Sequence, residues 1–148
     1  MNKKISRVRI YNCLNYGAVR IAVRRKAVIR HRLSFSTSFG GGTIYSAGED
    51  TLFICDMVRK GFKIYTYPET IASVDQSTST WFSGYNRKYI YDKGVLFSAA
   101  FEKHTVLMCV QYLLRHSNEY KKAGLTVFQA LKLMLEGAEG YKELKHIT

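Results

Sequence analysis

The sequence predicts an α/β chain, with a short mixed sheet segment first and a helical region after it. Three observations lead there. Stretches at residues 7–11, 19–23 and 62–67 alternate charged or polar with apolar or aromatic side chains, the period of a half-buried strand. A helix-like charge order lies between the second and third of them, and a strand–helix–strand run around 50–74 suits an α/β sheet better than a β-sandwich. Beyond Trp81 the apolar residues recur at helical spacing. The expected division is 1–80 and 81–148.

Arg7-Val-Arg-Ile-Tyr11 and Val19-Arg-Ile-Ala-Val23 are the first two expected strands. Residues 24–33 suit a short helix with Ala27, Val28 and Leu33 inward. Ser34 to Ser46 is expected to be loop. Its Gly40-Gly41-Gly42 triplet allows positive φ and close approach of backbone to a ligand. A helix follows over Asp50–Lys60, with acids at its start, Arg59 and Lys60 at its end and Gly61 after it. Leu52, Phe53, Met57 and Val58 form its expected buried stripe. Phe62-Lys-Ile-Tyr-Thr-Tyr67 is a strand stopped by Pro68, and Thr70–Val74 a further short one. A polar stretch, 75–80, leads to Trp81. Helices are then expected from Trp81 to Phe101, with a break at Gly94, and from Thr105 to His116, presenting Val106, Leu107, Val110, Leu113 and Leu114. The last starts at Thr126, where Thr126-Val-Phe-Gln129 matches a capping box, and presents Val127, Leu131, Met134 and Leu135.

The composition is that of a globular chain: 148 residues, 47% apolar, 23% charged, one proline. The net charge is +12, and residues 1–32 hold ten basic side chains and no acid. Such a field suits a polyanionic partner or, equally, a solvated basic face. Cys13, Cys55 and Cys109 lie far apart in sequence, which suggests reduced, buried thiols in a cytoplasmic protein. The longest mostly apolar window, Val106–Leu114, falls well short of the ~20 residues that span a bilayer. The four histidines lack metal-ligand spacing, and the glycine triplet lacks the Gly-Lys-Ser/Thr of a phosphate loop.

The chemistry-bearing segment is Gly48-Glu49-Asp50. Two adjacent carboxylates open a helix just after a glycine-rich loop. Free N–H groups at a helix start hold a carboxylate in place, and a fixed carboxylate that meets a substrate hydroxyl can act as a general base. An acidic helix start can equally be a cap and nothing more.

The run from Arg20 to Phe101 resembles the second half of a bacterial family 2 glycosyltransferase, of capsule or wall polysaccharide type. Gly48-Glu-Asp-Thr-Leu-Phe53 is similar to that family's acidic motif. Arg20-Ile-Ala-Val-Arg-Arg25 is similar to the strand before its acceptor loop, and Arg59-Lys-Gly-Phe-Lys-Ile-Tyr65 to the helix end and strand that follow. Gln76-Ser-Thr-Ser-Thr-Trp-Phe82, Gly84-Tyr-Asn-Arg-Lys-Tyr89 and Asp92-Lys-Gly94 resemble the downstream segment.

The resemblance implies a partial GT-A (Rossmann-like) sheet, with Asp50 as the base that deprotonates the acceptor and Glu49 as its neighbour. It implies acceptor-binding roles for Gly41, Gly42, Gln76 and Trp81. The complete enzyme would use a nucleotide sugar, a saccharide or lipid-linked acceptor, and divalent Mn or Mg held by an Asp-x-Asp motif. This sequence contains no Asp-x-Asp. The expectation is therefore a fragment without the donor-binding half, with no metal of its own, inactive alone and open to complementation by an N-terminal half. Its expected place is cytoplasmic, peripheral at the inner membrane face, where the basic residues would meet anionic lipid. The alternative is a non-enzymatic binding module. In it Arg20, Arg24, Arg25, Lys26, Arg30 and Arg32 grip phosphates while Tyr11 and Tyr16 stack on bases. No nucleic-acid signature supports that choice.

Overall fold

In the computed structural model, which describes residues 4–70, 73 and 84–147, strand β1 (Ser6–Val8) pairs antiparallel with β2 (Ile64–Thr66). The register sets Val8 opposite Ile64 and Ser6 opposite Thr66. Val8 and Thr66 are buried, and Thr66 Oγ1 accepts the Ser6 N–H at 3.0 Å. Among the described residues, α1 (Arg25–Arg30) and α2 (Glu49–Arg59) lie between the two strands, and α3 (Arg87–Phe101), α4 (Thr105–Arg115), α5 (Ser117–Lys122) and α6 (Val127–Ile147) come after β2. The mixed class holds, with helix dominant. Among the described residues, no helix is long and apolar enough to cross a membrane.

Two expected strands are altered by local hydrogen bonding. Asn12 Oδ1 accepts the Arg9 N–H at 2.7 Å and Asn12 N–H bonds Arg9 C=O at 3.1 Å. This winds Ile10–Asn15 into a 3-10 turn and ends β1 at Val8. Val19–Val23 is not a strand. Arg20 N–H and Ile21 N–H bond back to Gly17 and Ala18, making a 3-10 turn over Ala18–Arg20. Most of the expected Thr70–Val74 strand lies outside the described residues.

The chain divides into two compact units, Met1–Ser38 with Gly48–Ser79, and Phe39–Ala47 with Thr80–Thr148. In the first, α2 buries Phe53, Ile54, Cys55 and Met57, while Leu52 and Val58 are only half-buried. Gly61 (φ +82°) closes the helix: its N–H bonds Val58 C=O and that of Phe62 reaches Met57 C=O. These paired bonds satisfy carbonyls the helix end would leave free.

In the second unit, α3 and α6 cross at glycines. A Cβ on Gly94 would stand 1.8 Å from the Met134 carbonyl oxygen, and one on Gly137 would stand 2.4 Å from that of Tyr91. Gly94 is therefore a contact point inside an unbroken helix. Ser98 Oγ bonds Ala138 C=O at 3.1 Å beside it. Asn86 caps α3 by accepting the Tyr89 N–H, so the helix starts at Arg87. The expected capping box before α6 is formed: Gln129 Oε1 accepts the Thr126 N–H, and Gln129 N–H reaches Thr126 Oγ1. Met134 is fully buried and Leu131 and Leu135 half-buried, but Val127 is exposed. On α4 only Leu113 of the expected stripe is buried; Val106, Leu107, Val110 and Leu114 face solvent.

Candidate functional site

Helix α2 starts on Gly48, whose φ of +122° is open to glycine and strained for any other residue. With no side chain at that cap, the next two residues serve the helix end. Glu49 turns back and its Oε2 accepts the Gly48 N–H at 3.0 Å. Asp50 Oδ1 accepts the Thr51 N–H at 2.6 Å. Both acids are half-buried.

Each acid thus uses one oxygen, and neither Glu49 Oε1 nor Asp50 Oδ2 has a hydrogen-bond partner among the described residues. Asp50 Oδ2 faces the backbone of Gly17, where an added Cβ would lie 3.6 Å from it. Gly17, unremarked in the sequence beyond being a glycine, sets bare backbone against that oxygen. Sequence reasoning had only its smallness to find it by.

Gly41 and Gly42 are exposed and belong to the other unit. Gly42 takes φ +80° with nothing within 4 Å of a would-be Cβ. Their loop is pinned from within: Gly40 N–H bonds Tyr45 C=O at 2.9 Å, and Thr43 Oγ1 bonds the Gly40 carbonyl at 3.0 Å. Gln76 and Trp81 lie outside the described residues. The structure thus brings together Glu49, Asp50 and Gly17, while Gly41 and Gly42 sit on a separate turn.

The loop's anchor is Asp92 of α3. Its buried Oδ2 accepts from Ser46 N–H (3.0 Å), Ser46 Oγ (2.8 Å) and Lys88 Nζ (2.6 Å), and Lys88 Nζ also reaches Ile44 C=O. A second network runs along α3, α4 and α5. Tyr112 Oη donates to Glu119, whose other oxygen meets His116 Nδ1 at 3.1 Å, and Lys93 Nζ lies 5.1 Å from the Tyr89 ring centre. Burial pushes the Tyr89 and Tyr112 phenols up.

All three thiols are buried, as expected. Cys13 and Cys55, 42 residues apart, are neighbours with Sγ atoms 3.1 Å apart. Their hydrogen bond pulls the Cys55 thiol below its ordinary value and pushes Cys13 above it. Spacing along the chain gave no sign of this pair.

No family model matches the chain, and no curated protein or solved structure matches it.

Proposed function

We propose that this chain carries the acceptor side of an inverting glycosyltransferase of the family 2 type, with Asp50 as its base. The observation supporting this is the position of Asp50: each acid accepts one backbone N–H through one oxygen, and the second oxygen of Asp50 lies beside the bare backbone of Gly17. In the reaction, the acceptor hydroxyl proton passes to Asp50 Oδ2 as that hydroxyl's oxygen bonds the anomeric carbon. The nucleoside diphosphate leaves from the opposite face with its bonding electron pair, and the configuration inverts. Gly41, Gly42, Gln76 and Trp81 remain proposed acceptor contacts.

The donor half of such a reaction is not assigned to these residues. The sequence has no Asp-x-Asp, and among the described residues no three His, Cys, Asp or Glu side chains gather as a metal-ligating group. Donor binding then falls to a partner such as a complementing N-terminal half.

A glycan array probed with the labelled full chain tests the reading. Binding to a defined set of saccharides, lost in Asp50→Ala and kept in Glu49→Gln, is expected. Saccharide binding that is indifferent to Asp50 would remove the base assignment.

A further inference from the structure

The first compact unit carries a cationic surface that takes no part in the proposed proton transfer. Arg20, Arg24, Arg25, Lys26, Arg30 and Arg32 are all exposed. None makes an ion pair or side-chain hydrogen bond among the described residues. The first acid in the chain is Glu49. On α1, the helical turn places Arg25, Ile29, Lys26 and Arg30 along one outward arc, with Ala27 and Val28 half-buried opposite. Lys26 and Arg30 are four residues apart, a like-charge pairing that destabilises a free helix. Amid these cations Ile29 is 64% exposed. Just past the helix Arg32 stands at φ +47°, a position where glycine would be unstrained.

We propose that this face of α1, with Arg20, Arg24 and Arg32 around it, docks on an anionic bilayer surface, with Ile29 entering the headgroup–acyl boundary. The inference stands independently of the transferase reading. Exposed positive charge with no ion-pair partner among the described residues is complementary to anionic headgroups. Cations flanking an exposed aliphatic side chain match the pattern of an interfacial helix. Nucleic acid would satisfy the charges but offers no apolar phase for Ile29, so a lipid surface is the better fit.

Sedimentation of the full chain with vesicles tests this. At 0.1 M salt we expect binding to vesicles of equal phosphatidylglycerol and phosphatidylcholine, little binding to pure phosphatidylcholine, and release at 1 M salt, where the screening length falls to about 3 Å. Each surface cation is worth about fivefold in partitioning. Lys26→Gln/Arg30→Gln should therefore bind roughly 25-fold more weakly, and Ile29→Ser should also lose affinity. Lys121→Gln/Lys142→Gln, exposed cations of the other unit, should bind as the parent does. All these sites are exposed, and matching circular dichroism confirms folding of each variant. The proposal is overturned if neutral vesicles bind equally well. Equal loss in the Lys121/Lys142 pair would also overturn it, as would duplex DNA that strips the chain from vesicles while Ile29→Ser has no effect.

Discussion

Replacing Gly94 with Ala sets two effects of opposite sign against each other. In a free helix the change would stabilise by about 1 kcal/mol, because glycine is a poor interior helix residue. Here the new methyl would stand 1.8 Å from the Met134 carbonyl oxygen. An ordinary carbon–oxygen contact between helices is about 3.3 Å, so α3 and α6 must part by roughly 1.5 Å. The obstacle is backbone and cannot swing aside. Overpacking of this kind costs about 3 kcal/mol or more, the upper end of the usual range. The parting also loosens Ile90, Val95, Phe97 and Met134, all fully or nearly fully buried. The net expectation is a loss of about 2 kcal/mol, read from the urea midpoint of the full chain. Gly140→Ala is the control: its methyl meets only the Tyr91 hydroxyl, at 2.9 Å, the end of a movable side chain. It should be neutral or slightly stabilising. A Gly94→Ala chain more stable than its parent would refute the close crossing.

Asp92→Ala removes the acceptor of three hydrogen bonds, one from a lysine. Hydrogen bonds to a buried charge are worth about 1.5–3 kcal/mol each, but Lys88 is largely exposed, so a loss of about 2–3 kcal/mol in the unfolding free energy is expected. Arg32→Gly relieves the left-handed backbone at the end of α1 and should stabilise by about 0.5–1 kcal/mol on the same measurement. Burial pushes the Cys109 thiol up to about 11. An acid with a raised folded value is neutral in both states at low pH, so its share of stability is complete below about 9 and is lost as pH rises towards about 11. Unfolding midpoints of wild type and Cys109→Ala across that window should converge at the alkaline end; parallel curves would contradict the shift.

Local signals were the legible ones. Helix α2 was visible from its charge order and closing glycine, and the start of α6 from its capping box, because both depend on residues within one turn. The strand expected at Val19–Val23 failed because alternation does not supply a partner strand, and short backbone bonds to Gly17 and Ala18 won. Gly94 looked like a helix break because a sequence cannot show the Met134 backbone that crosses there. The outward apolar side of α4 shares its periodicity with a buried one, so spacing alone could not choose. The candidate site was half legible. Glu49 and Asp50 announced themselves and their bonds are local, but the approach of Gly17 to Asp50 is a tertiary contact from 33 residues away.

The proposed role of Asp50, receiving an acceptor hydroxyl at the carboxylate oxygen beside Gly17, is tested most directly by a saccharide titration of the isotope-labelled full chain followed by amide chemical shifts, in wild type and Asp50→Asn. Saturable shifts at Gly17 and Thr51 are expected, abolished by the substitution. Shifts that persist in Asp50→Asn, or that avoid both amides, would contradict that role.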